Sequence, residues 1–162
     1  MKKILILILL AFSLSAWAEI YHISPTGNNT TGDGTSGNPW QTPAYAVSQA
    51  SSGDTIFFQA GTYTISTAVT VPVGISLYST AAAICSAGGA VDAMFMLSSA
   101  SEGTNGNQTI SGLTFDGNDS TGYRAIAVIA RSNVKIHDDT FENFYRAAIR
   151  YTGRVTGNGE PT

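Results

Sequence analysis

The segment "FDGNDSTGYR", Phe115 to Arg124, holds the densest set of side chains able to do chemistry in this 162-residue chain. Asp116 and Asp119 stand three apart in a Gly- and Asn-rich stretch and could turn carboxylate oxygens toward a hard cation such as calcium. Tyr123 and Arg124 follow at once, and Arg146, Arg150 and Tyr151 come about one repeat later. The competing expectation is structural, because Asp and Asn also build tight corners through local hydrogen bonds.

Other reactive residue types are thinner. Asp138 and Asp139 are adjacent, and burial side by side would raise the pKa of one of them. Asp139 is expected at a corner, in a structural role. His137 follows the apolar Ile136 and so should face outward; His22 lies far back in the chain, and the pair does not read as a zinc site. Cys85 is the lone cysteine, which excludes an intrachain disulfide, and in "AAAICSAGG" it reads as a buried small residue. "GTSGNP" lacks the lysine and the strand-helix context of a phosphate loop.

These residues must be positioned by strands. Only 12% of residues are charged, and 17 are glycine, a balance suited to short strands with many corners. Strands are expected at Ile20–Ser24, Thr55–Phe58, Tyr63–Ile65, Val69–Val71, Ile75–Leu77, Met94–Leu97, Thr109–Phe115, Ala125–Ile129, Val134–Ile136, Thr140–Phe141 and Ala148–Tyr151. One helix is expected over Thr42–Ser52. Thr42 would cap it, Pro43 would take its first position, Ala44, Ala46, Val47 and Ala50 would form its apolar stripe, and Gly53 would end it.

The decisive pattern is a repeat. "TISGLTFDGN" and "KIHDDTFENF" superpose with Ile110 on Ile136, Thr114 on Thr140 and Phe115 on Phe141, an offset of 26 residues each time. Ile126 and Ile149 recur at 23. A period in the low to mid twenties with three short strands predicts a coiled solenoid in which each strand pairs with its counterpart one coil away. The Leu and Asn skeleton of a leucine-rich repeat is absent. A solenoid end exposes unpaired backbone, so the helix would be a plug over the first coil.

The chain opens with Lys2 and Lys3, an apolar run from Ile4, and Ala16-Trp17-Ala18, the pattern of a secretory signal cleaved after Ala18. Removal of residues 1–18 would move the formal charge from −3 to −5, six basic against eleven acidic side chains. That balance argues against nucleic acid and anionic membranes as main partners. The expected organisation is 19–54 as strand, loop and capping helix, and 55–162 as coils.

The stretch from Tyr21 to Tyr63 resembles the N-terminal segment of secreted bacterial right-handed parallel β-helix proteins of the pectate-lyase-like superfamily. The matching motifs are Ser24-Pro25-Thr26-Gly27, Trp40-Gln41-Thr42, Gly53-Asp54-Thr55-Ile56 and Gly61-Thr62-Tyr63. The resemblance implies an all-β, right-handed parallel β-helix on the secreted or cell-surface side. The superfamily includes polysaccharide lyases, glycoside hydrolases, carbohydrate esterases, phage tail-spikes and non-catalytic surface proteins, and the fold does not select among them. Lyases in this group use an Arg or Lys base with positive charge, often calcium, beside the uronate carboxylate; inverting hydrolases use two carboxyl groups. Carried onto this chain, Arg124 and Arg150 are the catalytic candidates, with Tyr123, Arg146 and Tyr151 for substrate and Asp116 and Asp119 for calcium. Alternation places Arg150 outward if Ile126 and Ile149 point inward.

Only four or five coils fit, and the chain closes on the polar "TGRVTGNGEPT". The expectation is therefore the N-terminal part of an extracellular protein that binds, and in a lyase or hydrolase version degrades, an acidic polysaccharide, with most catalytic coils lying further on. The alternative is a non-catalytic adhesion or scaffold module. The two differ in whether Asp116, Asp119, Arg124 and Arg150 gather on one face or scatter.

Overall fold

The computed structural model describes residues 17–119 and 124–153. It is a right-handed parallel β-helix of four coils with one short helix at its N-terminal end. The first coil is β2 (Thr55–Phe58), β3 (Gly61–Ile65) and β4 (Val69–Thr70); the second is β5 (Ser76–Tyr78), β6 (Ala83–Ala87) and β7 (Phe95–Ser98). The third is β8 (Thr104–Ser111), β9 (Thr114–Asp116) and β10 (Ile126–Ile129); the fourth is β11 (Arg131–His137), β12 (Thr140–Glu142) and β13 (Ile149–Thr152). Equivalent strands pair in parallel into sheet A (β2, β5, β8, β11), sheet B (β3, β6, β9, β12) and sheet C (β4, β7, β10, β13). The N-terminal β1 (Ile20–Ile23) adds to the β2 edge of sheet A.

Stacking follows the expected register. Ile110 lies on Ile136, Phe115 on Phe141 and Ile126 on Ile149. Because side chains alternate across a strand, this register makes inward columns of like apolar residues. An aromatic spine runs through them: Phe58–Phe95 at 6.2 Å, Phe95–Phe115 at 6.0 Å and Phe115–Phe141 at 5.2 Å between ring centroids. The first two pairs meet edge to face and the last is stacked, arrangements that add to plain burial.

The corners explain the strand lengths. Thr109–Phe115, expected as one strand, breaks at Gly112, whose φ of +74° turns the chain from sheet A to sheet B. Asp138 takes the equivalent place one coil later at φ +58°. Ala83–Ala87 is a strand that the alanine-rich sequence concealed, since Cys85 and two small residues supply its inward face.

The helix α1 spans Pro43–Gln49, shorter than the Thr42–Ser52 expected. Thr42 caps it by accepting from the Tyr45 N–H, and Asn29 holds that cap by donating to the Thr42 hydroxyl at 2.9 Å. It ends at Ala50, which is already extended; Gly53, at φ +107°, serves the turn into β2 instead. Pro43, Ala46 and Val47 are its buried residues, while Ala44 faces solvent. A seven-residue helix has little stability of its own, so its burial over the first coil holds it. No helix among the described residues is long and apolar enough to cross a membrane.

Candidate functional site

Two of the sequence candidates, Arg124 and Arg150, meet where the corner from sheet B enters sheet C. Arg124 leads into β10, and its Nη1 pairs with Asp92 Oδ1, a residue ahead of β7 in the preceding coil. Nη1 also donates to the Asp92 carbonyl at 3.4 Å. From the following coil, Arg150 Nη2 stands 3.9 Å from the other oxygen, Asp92 Oδ2. Three coils thus bring two guanidiniums and one carboxylate together. The set carries one net positive charge at neutral pH.

Burial differs between the members. Arg124 is 13% exposed, against 34% for Arg150 and 55% for Asp92. Arg150 lies in register with Ala127, outward on sheet C as alternation requires, over a column continued by Met96 and Thr70. Its Nε is buried without a hydrogen-bond partner. Two guanidiniums face one carboxylate here, so the corner is suited to holding a further anion.

The remaining candidates fall elsewhere. Asp116, closing β9, uses Oδ1 to accept from the Asn118 N–H at 2.9 Å and from Asn143 Nδ2 at 2.9 Å. Asp119 is exposed at φ +57°, and its N–H donates to the Asn143 carbonyl. Both therefore work in the corner itself, and neither pairs with Arg124 or Arg150. Among the described residues no group of three or more acidic, His or Cys side chains could hold a metal ion. Tyr123 lies outside the described residues. Arg146 is exposed just before β13. Tyr151 is in register with Val128, on the opposite side of its strand from Arg150, and its hydroxyl donates to the Val134 carbonyl at 3.4 Å.

The other reactive groups resolve into structural roles. Asp139 Oδ1 accepts from the Leu113 N–H at 2.8 Å, tying one A-to-B corner to the next, and burial pushes its pKa up. Asp138 is exposed and pairs with His137 at 2.8 Å, and His137 faces outward as expected. Cys85 is fully buried in the column between Tyr63 and Phe115, and its thiol pKa is raised by desolvation.

Asp92 is the residue that sequence reasoning missed. No local pattern marks it: Asp92 reaches Arg124 only because the two coils stack, with the Met94 N–H donating to the Arg124 carbonyl. The model of a family described as a protein of unknown function, DUF1565, matches residues 25–159. The chain belongs to the DUF1565 family. That match spans α1, all four coils and the Arg124–Asp92–Arg150 corner, so in this DUF1565 protein cap and candidate site belong to one unit. No curated protein and no solved structure matches the chain.

Proposed function

We propose that this is an exported β-helix protein that binds an acidic polysaccharide along the sheet C edge. Arg124 and Arg150 would be its carboxylate contacts. The supporting observation is the convergence of Arg124 and Arg150, one coil apart, on the single carboxylate of Asp92. A uronate carboxylate arriving at Arg150 would find a partly exposed guanidinium whose charge partner, Asp92, stands 3.9 Å away. The signal-like residues 1–18 put the protein where such polymers are met.

A scaffold module is the second reading. Asp116 and Asp139 favour it, since both spend an oxygen on a corner rather than on an open face. Titration with polygalacturonate at low and at physiological salt, with neutral dextran as control, separates the two. Binding that weakens with salt and drops about tenfold in Arg150→Ala supports the polysaccharide reading. Absence of binding at low salt, or an Arg150→Ala protein that binds as wild type, leaves the scaffold.

A further inference from the structure

Sheet A carries a surface that none of the sequence candidates touched. Its register stacks His22, Phe57 and Tyr78, from three successive strands, in one outward column. Ring centroids lie 5.0 Å apart between His22 and Phe57, and 5.8 Å between Phe57 and Tyr78. A second outward column of different chemistry, Ser76, Thr109 and Lys135, starts two residues before Tyr78 on β5 and runs on over β8 and β11, so the two columns share β5 and continue from it in opposite directions. These three line a polar groove of ≈ 250 Å³ with Gly53, Gly74 and Asn107, at the N-terminal ends of the strands and diagonal to the aromatic column. Tyr78 is 40% exposed.

From this juxtaposition we propose that the outward face of sheet A is a second binding face, for a neutral glycan chain lying across the strands. A sugar ring has a C–H face and a hydroxyl edge. The aromatic column takes the first, and the hydroxyl and ammonium column takes the second. An apolar protein partner would bury the Lys135 ammonium and the Thr109 hydroxyl without new partners, at about 1–3 kcal/mol each. A polyanion is disfavoured as well, because among the described residues Lys135 is the single cation lining the groove. The acidic Glu19 sits at the β1 end of the same sheet. Five strands at about 4.8 Å spacing make a face roughly 19 Å long, room for several sugar rings.

The face does not depend on the arginine corner, which lies on sheet C. Calorimetric titration of the purified chain with neutral hexasaccharides (cello-, xylo-, malto- and chito-oligomers) tests it, with Tyr78→Ala, Phe57→Ala, Tyr78→Phe and Arg150→Ala alongside. The expected result is binding of at least one oligomer, weakened at least tenfold by Tyr78→Ala and within about threefold of wild type in Tyr78→Phe. Arg150→Ala should bind as wild type, which keeps this result separate from the polygalacturonate experiment. Tyr78 is an exposed side chain, so Tyr78→Ala keeps the fold, and its urea midpoint checks that. No binding across the panel overturns the proposal. So does binding that survives both aromatic truncations, or that is lost in Arg150→Ala instead.

Discussion

Replacing Arg131 with alanine should destabilise the β-helix more than any single surface change on sheet C. This guanidinium, at the C-to-A corner, reaches back across earlier coils. Nη1 donates to the Val71 carbonyl at 2.8 Å and to Gln108 Oε1 at 2.7 Å; Nη2 donates to the Ser98 carbonyl at 2.7 Å; Nε donates to Ser99 Oγ at 2.8 Å. Gln108 is itself buried, spending its amide on the Pro72 and Ile75 carbonyls. Truncation leaves two carbonyls and one amide oxygen without their charged donor. At about 1 kcal/mol for each, the lower end for groups near the surface, the loss is about 3 kcal/mol. With a urea slope of about 2 kcal/mol/M for a domain of this size, the midpoint should fall by about 1.5 M. Arg131→Lys keeps the charge and loses the planar fork, so it should recover less than half of that. Equilibrium urea unfolding followed by far-UV circular dichroism reads both. Two variants within about 0.5 kcal/mol of wild type would refute the view of Arg131 as a clamp between coils.

Two further outcomes follow from the A-to-B corners. Burial raises the Asp139 pKa, with His137 opposing and Asp138 adding to the shift, so the folded state holds this proton more tightly than the unfolded chain. Stability from this group is therefore present at low pH and lost as pH rises through the folded value. Asp139→Asn keeps an oxygen for the Leu113 N–H and should flatten that part of the profile; equal slopes of urea midpoint against pH in both proteins would contradict it. Gly112→Ala would set a Cβ 2.0 Å from the Ser79 carbonyl oxygen at φ +74°, and should cost more than about 2 kcal/mol by thermal or urea unfolding. Gly37→Ala, where nothing lies within 4 Å of the added carbon, is the control and should stay within about 0.5 kcal/mol.

The columns were legible in the sequence because a parallel solenoid converts a linear repeat directly into contacts. The spacing of Ile110 to Ile136 and of Phe115 to Phe141 is the register itself. The cap was legible through Thr42 and Pro43, whose preferences are local. Strand ends were not. The break at Gly112 depends on a backbone angle, and Ala83–Ala87 became a strand because neighbouring coils pair with both its edges.

The candidate sites divide along the same line. The sequence alone determined that acidic and basic residues crowd the corners after Phe115 and before Ile149, and that Arg150 points outward. Only the tertiary structure decided which of them meet. Asp92 joined Arg124 and Arg150 because residues 32 and 58 positions apart become neighbours when coils stack, while Asp116 turned back into its own corner. The aromatic column of sheet A was hidden for the same reason. His22, Phe57 and Tyr78 have no common local pattern, and coils of unequal length bring them into line.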